Sequence, residues 1–402
     1  MISSPHQAIT AVADRLSPVG CETIEPALGR VLAAAITADR DSPAADVSAM
    51  DGYAVRIDDL RSGGETPVAG EVQPGQSPSP LPPRAALRIF TGAVIPPGTE
   101  VVVRREDTVE SPTVVRWTAA AERLAAGANI RRQGENGRAG SLVIAPGTEL
   151  TAASIAAAAN FGIAQVATYR QVAVSVVVTG NELLAVSDTP APWQLRDSNG
   201  PTVTAMLAGY PWLRVSGQVR CTDDATAMQT MLQIALAESD AVIITGGVSK
   251  GDYDLVPAVI EAVGGEIVFH RLAIRPGHPV LAAITAAGKL ILGLPGNPVS
   301  TACCLRRIGL PLLTRLSGRT DWRADPTPVT VADADDRSLP MHWMRLVRRT
   351  DRRDPNGFPI VESVASKGSG DLVALGTSDG FIEQPPDESG AGPWDFYRWA
   401  MA

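Results

Sequence analysis

The sequence has few aromatic residues, few cysteines and no long apolar run, and each scarcity excludes a class of protein. Only 4% of the 402 residues are aromatic, too few for the stacked rings that bind single-stranded nucleic acid. The four cysteines form no C-x-x-C pair, which argues against a disulfide framework and against a zinc site. Residues 1–16 lack the apolar core of a signal peptide, and the longest apolar stretch, 172–178, is too short to span a bilayer. We therefore expect a soluble, cytoplasmic protein with reduced cysteines and no nucleic-acid or membrane partner.

Acidic residues outnumber basic residues in the chain. The net charge is −8, and the 35 basic residues are scattered and form no basic stripe. An acidic protein that handles anionic ligands must concentrate its cations locally. With 45% hydrophobic residues, the chain has enough apolar material for two to four domains.

The order of apolar runs divides the chain. Ser4 and Pro5 predict a helix start, and Thr151 predicts the cap of a short helix ending near Asn160. Residues 49–150 show short alternating runs between Pro/Gly turns, which indicates a β-rich region. After about residue 321 alternation returns at 329–331, 342–347, 358–364 and 372–375, which predicts a small all-β domain.

Between these regions apolar strands alternate with helices. We expect strands at 172–178, 241–245, 266–270, 280–284 and 290–294, and helices at 201–209, 223–237, 254–263 and 298–316. This alternation predicts a mainly parallel sheet with helices on both faces.

Three glycine-bearing loops follow strands of this sheet: TGNEL at 179–183, TGGVSKGDYD at 245–254 and GLPGNPVS at 293–300. Ligands of parallel sheets bind at the carboxyl edge of the strands, so the loops can converge on one site. Glycine allows backbone N–H groups to approach phosphate oxygens, and Pro298 begins a helix whose amino end favours an anion. One such loop alone would be an ordinary turn, but three in one domain favour a nucleotide or phosphate site. The candidate binding residues are Gly180, Gly246, Gly247, Ser249, Lys250, Pro295, Gly296, Asn297, Pro298 and Ser300.

Acidic side chains fall in the same places. They are Glu182, Asp223, Asp224, Asp252 and Asp254. A few carboxylates completed by water and substrate phosphate oxygens are what Mg²⁺ prefers. Two alternatives remain open: Asp223 as a helix N-cap and Asp252 as a solvated loop charge.

Cations follow in the segment HRLAIRPGHP at 270–279. Arg271, Arg275 and His278 lie within eight residues of an otherwise acidic chain, and arginine offers a fixed fork of donors to an oxyanion. The alternative is a solvated turn with ordinary surface arginines.

Eight motifs resemble the molybdopterin molybdotransferase family, of the MoeA and gephyrin E-domain type. They are SAMDGYA at 48–54, RIFTGA at 88–93 with PPG at 96–98, RRQGEN at 131–136, the three glycine loops, the 271–279 turn and GSGD at 368–371.

The resemblance implies a multidomain α/β plus β fold. Its parts would be an elongated discontinuous domain at 1–45 and 140–170, an inserted β-rich domain at 46–139, a three-layer α/β/α molybdopterin-binding domain at 171–320 and a β-barrel-like domain at 321–402. It also implies a homodimer whose cleft brings Asp51 and Thr91 of one subunit opposite Glu182, Asp223 and Asp254 of the other.

The implied reaction joins molybdate to adenylyl-molybdopterin and releases AMP, with Mg²⁺ held by Glu182, Asp223 and Asp254. Asp51, Thr91, Arg271 and Arg275 would complete the catalytic set, and His278 and Ser369 would join the substrate-binding set. Purely structural alternatives remain open for three of these residues. Asp51 could belong to an ordinary turn, because Asp-Gly is a common turn dipeptide, and Thr91 and Ser369 could serve only local turns. An upstream adenylyltransferase and recipient molybdoenzymes would be its protein partners.

This chain departs from the family pattern at two places. Asn136 stands where the family usually has Asp, and Arg271, Arg275 and His278 replace the usual lysines. These changes leave open a tungstate-using variant or a weakened molybdopterin-binding scaffold. A further alternative is the preceding adenylylation step, but those enzymes lack the Asp51 and Thr91 region.

Overall fold

The computed structural model describes residue 2 and residues 4–249, 255–323 and 326–399. By internal contacts the chain forms two compact units. The larger consists of Met1–Ala34, Pro146–Ile155 and Gln165–Ala402, and the smaller of Ala35–Ala145 and Ala156–Ala164. No helix in the described part of the chain is long and apolar enough to cross a membrane. The four-domain division expected above remains a prediction.

The larger unit is built around a six-stranded sheet. In spatial order its strands are Leu213–Cys221, Val172–Thr179, Ala241–Thr245, Leu290–Leu294, Leu281–Thr285 and Gly265–His270. The first four strands are parallel and only Leu281–Thr285 runs against them, since Gly265–His270 pairs antiparallel with that strand. The sheet is therefore mainly parallel, as predicted. Strand Leu213–Cys221 was not predicted. It lies at the sheet edge and is largely exposed, so its sequence carries no continuous apolar run.

Helices cover both faces of this sheet. They are Pro5–Ala13, Asn199–Ala208, Ala225–Glu238, Val256–Ala262, Pro298–Cys304, the π-helical turn Leu305–Gly309 and Leu310–Leu316. Alternate side chains of the central strand face opposite layers: Val176 packs in a cluster with Val203, and Val177 packs in another with Met228. The three-layer α/β/α prediction is therefore confirmed.

The N-terminal helix begins as its sequence predicts. Ser4 caps it by accepting a hydrogen bond from the Gln7 amide, and Pro5 takes the first helical position. The following segments Cys21–Ile24 and Val31–Leu32 flank Val166–Tyr169 in a three-stranded sheet. Helix Ala152–Asn160 starts after Thr151, whose hydroxyl accepts a hydrogen bond from the Ser154 amide.

The C-terminal part is a closed five-stranded barrel. Its strands are Thr327–Val331, His342–Arg353, Pro359–Ser363, Gly380–Gln384 and Trp394–Arg398. The long second strand pairs with both the third and the fourth, which closes the ring. The short strand Ile274–Arg275 of the α/β region joins it in parallel.

One predicted strand of this region is wrong. Residues 372–375 begin a helix, Leu372–Thr377, because Asp371 caps it by accepting a hydrogen bond from the Ala374 amide. Such a short apolar run does not distinguish strand from helix by periodicity.

The smaller unit is β-rich, as predicted. Its six-stranded sheet has the order Val101–Arg104, Gly52–Val55, Ala86–Ile89, Glu65–Val72, Val114–Trp117 and Thr108–Glu110. Two short pairs join Val47–Ser48 to Ile130–Arg131 and Ile36–Thr37 to Leu142–Ile144, and the helical turns are Ile57–Arg61, Arg105–Asp107 and Ala121–Arg123. Apolar clusters lie on both faces, one around Tyr53 and Val103 and the other around Ala54 and Ile89.

Candidate active site

The three glycine loops meet at one edge of the α/β sheet. Their parent strands are adjacent and parallel, so their carboxyl ends lie side by side. The amide of Gly246 donates to the carbonyl of Leu294 (3.0 Å), and a Cβ at Gly246 would lie 2.7 Å from the hydroxyl oxygen of Thr179. Because Gly246 also has φ +95°, only glycine fits this junction. The described parts of the three loops therefore lie side by side, as the prediction of one shared site requires.

Asp223 is tied to the first of these loops. The Asn181 amide donates to Asp223 Oδ2 and the Asp223 amide donates to Asn181 Oδ1, each at 3.1 Å. The N-cap of helix Ala225–Glu238 is Asp224, which accepts from the Ala227 amide at 2.8 Å. The N-cap alternative for Asp223 is therefore wrong, since the neighbouring residue fills that position.

Glu182 lies beside the same junction. A Cβ placed on Gly180 would meet Glu182 Oε2 at 2.7 Å, so the carboxylate lies against the loop backbone. The carbonyl of Glu182 accepts from the Leu195 amide, next to the paired short strands Leu183–Leu184 and Leu195–Arg196. Glu182 and Asp223 thus belong to one loop cluster at the sheet edge.

A divalent metal would find part of its ligand set here. Among residues 4–249, 255–323 and 326–399, no group of three or more His, Cys, Asp or Glu side chains could hold a metal ion. The predicted third ligand, Asp254, lies outside the described residues, as do Lys250 and Asp252. The two carboxylates fit Mg²⁺ in kind, because this ion completes its shell with water and substrate oxygens.

A large cleft of about 890 Å³ lies between the α/β sheet region and the barrel. Six residues predicted to bind substrate or oxyanion line it: Arg275, His278, Pro295, Asn297, Ser300 and Ser369. The third glycine loop and the GSGD motif are joined here, because the Val299 amide donates to the Ser369 carbonyl (3.0 Å). Gly296 and Pro298 belong to the same loop, and Gly296 accepts a hydrogen bond from Asn199 Nδ2 (2.7 Å).

The predicted cations do not all take the same place. Arg275 and His278 line the cleft, whereas Arg271 is not among its lining residues in the described structure. The His278 ring is held by Nδ1 against the Leu272 carbonyl (2.6 Å). Arg271 has φ +73°, and its buried Nη2 has no hydrogen-bond partner among the described residues. Ser249, within the second loop, is exposed.

The barrel wall of the cleft adds residues that sequence reasoning missed. Asp335 accepts from Arg345 Nη2 (2.9 Å) and Arg337 Nη2 (2.6 Å), and both guanidinium groups stack on Trp343. Trp343 lies in register with Arg275 on the paired strand. The pKa of Asp335 is lowered to about 2, chiefly by the side-chain hydrogen bond from Arg337. Hydrogen bonds from the Arg337 backbone amide and from the Arg345 side chain lower it further. Only the tertiary pairing reveals that these residues face the predicted oxyanion turn.

In the smaller unit, Asp51 and Thr91 are directly bonded. Asp51 Oδ1 accepts from both the amide and the hydroxyl of Thr91, each at 2.8 Å. The bond from the Thr91 amide has the larger effect and the bond from its hydroxyl the smaller; both lower the pKa of Asp51 and keep its exposed carboxylate ionised. Only glycine fits at position 52, because a Cβ there would lie 1.9 Å from the Val103 carbonyl oxygen of the neighbouring strand. The turn-dipeptide alternative is therefore wrong: Gly52 begins a strand of the sheet.

Asn136 is part of an arginine network. Its Oδ1 accepts from Arg131 Nη2 (2.7 Å), and Arg131 Nε also donates to Glu135 (2.5 Å). The Asn136 amide donates to the Ser42 carbonyl. An aspartate at this position would keep the same acceptor oxygen and add a charge.

Known proteins resemble this chain over most of its length. A family model described as "MoeA N-terminal region (domain I and II)" matches residues 3–162, and one described as "Probable molybdopterin binding domain" matches residues 175–315. The chain is 34% identical over 371 residues to a molybdopterin molybdenumtransferase of Haemophilus influenzae, which covers 89% of this chain and 88% of that relative. The chain belongs to the molybdopterin molybdenumtransferase family.

Other members of the molybdopterin molybdenumtransferase family match this chain over a similar length. The Bacillus subtilis relative is 34% identical over 375 residues, covering 90% of this chain and 85% of its own length. The solved structure of the molybdopterin biosynthesis MoeA protein from Pyrococcus horikosii superposes with a TM-score of 0.79 at 26% identity and covers all of both chains. The family resemblance and the multidomain fold predicted from the sequence are confirmed.

Proposed function

We propose that this protein is a molybdopterin molybdotransferase of molybdenum cofactor synthesis, which transfers molybdate to adenylyl-molybdopterin and releases AMP. The observation that carries this proposal is the convergence of predicted residues within the larger unit. The carboxylates Glu182 and Asp223 lie beside the first glycine loop at the sheet edge. The third glycine loop, at the same edge, lines a cleft that also contains arginines. Family membership supplies the substrate class.

The cleft would hold the oxyanion. Arg275 supplies a permanent positive charge, and Arg345 on the facing strand is held in place by Asp335. The His278 Nδ1 donates to the Leu272 carbonyl, so Nε2 of this ring can donate to the oxyanion only when both ring nitrogens carry a proton. Positioning and charge stabilisation by these fixed groups would carry most of the catalysis.

The carboxylates would serve the nucleotide end of the substrate. Glu182 and Asp223 are the described residues that would hold Mg²⁺, with Asp254 as the proposed third ligand. When bound, the ion would polarise the phosphoanhydride and neutralise the departing AMP.

Asp51 and Thr91 would act on the same substrate from a second subunit of a homodimer. Their bonded arrangement presents one ionised, exposed carboxylate. Co-expression of Asp51→Asn with Asp223→Asn tests this sharing, because a mixed dimer then has one complete site. Mixed dimers are half of the population, so about a quarter of wild-type activity should return. Recovery near zero would assign both residues to one subunit.

The decisive assay supplies adenylyl-molybdopterin, Mg²⁺ and molybdate and follows AMP. Molybdate-dependent AMP release supports the transferase, and the same assay with tungstate compares the two oxyanions. Tight pterin binding without AMP release would favour the scaffold alternative, supported by Asn136 and the substituted cations. ATP-dependent adenylylation of free molybdopterin would favour the preceding step. We further propose a cytoplasmic location, with the upstream adenylyltransferase and recipient molybdoenzymes as partners.

A further inference from the structure

A second cavity, of about 300 Å³, opens at one end of the C-terminal barrel, away from the residues assigned above. Four of the five barrel strands or their ends contribute to it. The barrel mouth, as we call it, is lined by Thr327, Val329, Arg349, Thr350, Asp351, Arg352, Arg353, Pro359, Ile360, Val361, Phe396 and Arg398. Its floor is apolar, because Val329, Val361 and Phe396 belong to the barrel core.

The mouth exists because the long strand is irregular there. Arg349 pairs with Val361 and Arg353 pairs with Pro359, so the three residues 350–352 on one strand lie opposite the single residue Ile360 on the other. The extra residues bulge outward, and Thr350 fastens the bulge by donating from its hydroxyl to the Ile360 carbonyl (2.8 Å). Bulges at barrel rims redirect side chains in this way.

The rim is cationic in a chain whose net charge is −8. It carries four arginines against one aspartate, Asp351. Arg352 is paired with Glu362 (2.6 Å), and Arg353 donates to the Gly357 carbonyl (2.6 Å). The guanidinium groups of Arg349 and Arg398 make no hydrogen bond or ion pair within the described part of the chain. Two fork-shaped donors are thus free to bind an anion.

The positive charge extends past the cavity itself. Four exposed arginines, at 348, 349, 352 and 353, lie on either side of Thr350 and Asp351 on one strand, over a length of roughly 17 Å at the rise of an extended chain. That span exceeds a single phosphate or carboxylate and matches about five residues of extended peptide. An apolar floor beneath a cationic rim fits one apolar side chain flanked by carboxylates.

We propose that the barrel mouth docks an acidic peptide segment of a protein partner, with one apolar side chain on the floor formed by Val329, Val361 and Phe396. Arg349 and Arg398 bind the flanking carboxylates. The acidic remainder of the chain repels such a partner, so docking is directed to this end of the barrel.

The test measures binding of labelled pentapeptides to the full chain by fluorescence anisotropy at low salt. Glu-Glu-Phe-Glu-Glu should bind, whereas Glu-Glu-Ala-Glu-Glu and Lys-Lys-Phe-Lys-Lys should bind at least about tenfold more weakly. The double variant Arg349→Gln/Arg398→Gln should weaken the first peptide on the order of tenfold. Its matched control, Arg116→Gln/Arg123→Gln in the smaller unit, has the same charge change and should bind normally.

Three results would overturn the proposal. They are equal binding of the Phe and Ala peptides, equal losses in the two double variants, and complete displacement of the peptide by millimolar inorganic phosphate, which would indicate a simple anion site. AMP release should remain at the wild-type level in Arg349→Gln/Arg398→Gln. Loss of docking with intact AMP release separates this inference from the proposed function.

Discussion

Thr91 donates two hydrogen bonds to one carboxylate oxygen of Asp51, although the two residues are 40 positions apart in the sequence. The bonds fix the carboxylate direction and hold the pKa of Asp51 below its ordinary value, so it stays ionised throughout the neutral range. A charge placed in this way can act on a substrate without first being reorganised.

Asp51→Asn should lower molybdate-dependent AMP release by about a hundredfold or more, because the side chain keeps its shape and loses its charge. Thr91→Val should cause a smaller loss, since the Thr91 amide still donates. Steady-state AMP release by both variants checks this, with thermal unfolding as the control for folding. Activity of Asp51→Asn within twofold of wild type would remove this residue from the mechanism.

Asp223→Asn should abolish Mg²⁺-dependent AMP release while the fold stays intact, because the amide oxygen can still accept from the Asn181 amide. Glu182→Gln and Asp254→Asn should behave alike. Asp224→Asn is the matched control and should keep its activity, since asparagine caps a helix as well as aspartate does. A magnesium titration of activity measures the effect, and wild-type turnover in Glu182→Gln or Asp254→Asn would refute the metal assignment.

Asn136→Asp should leave AMP release equal or higher. The new carboxylate would accept the same bond from Arg131 with a charge added, and the exposed pair should stabilise the fold by about 0.2–1 kcal/mol. Urea unfolding and the AMP assay test both statements. A large loss of activity would mean that this chain depends on the neutral amide.

Gly52→Ala should destabilise the smaller unit by about 2–4 kcal/mol, because its Cβ would overlap the Val103 carbonyl oxygen of the neighbouring strand. Gly63→Ala is the comparison, since that glycine lies just before a strand of the same sheet and its Cβ would meet nothing within 4 Å. Gly63 has φ +69°, so its cost should be modest, about 1 kcal/mol. Denaturant unfolding monitored at Trp117 reports on this unit, and equal losses would contradict the packing argument.

Asp335→Asn should change how stability depends on pH. The folded pKa of Asp335 is about 2 and its ordinary value is 3.8, chiefly because Arg337 binds the ionised form. The stabilisation is therefore complete above the ordinary value and is lost as pH falls through about 2. Unfolding free energies between pH 5 and pH 2 should fall more steeply in wild type than in the variant. Parallel curves would contradict this.

Local patterns predicted much of the fold. Val172–Thr179 and Ala241–Thr245 are buried on both faces and are apolar throughout, so their strands could be predicted from composition. The edge strand Leu213–Cys221 could not, because exposed positions impose no apolar pattern. Residues 372–375 were mistaken for a strand because the deciding contact is a single cap from Asp371.

The sequence by itself determined the parallel α/β core, the three glycine loops at its carboxyl edge and the separate β-rich regions, since each follows from the order of apolar runs and turn residues along the chain. Tertiary structure alone decided that Asp223 bonds to the first loop, that Arg345 and Trp343 face Arg275, and that arginines rim one cavity of the C-terminal barrel. Those arrangements join residues far apart along the chain. They depend on strand order and register, which no local pattern encodes.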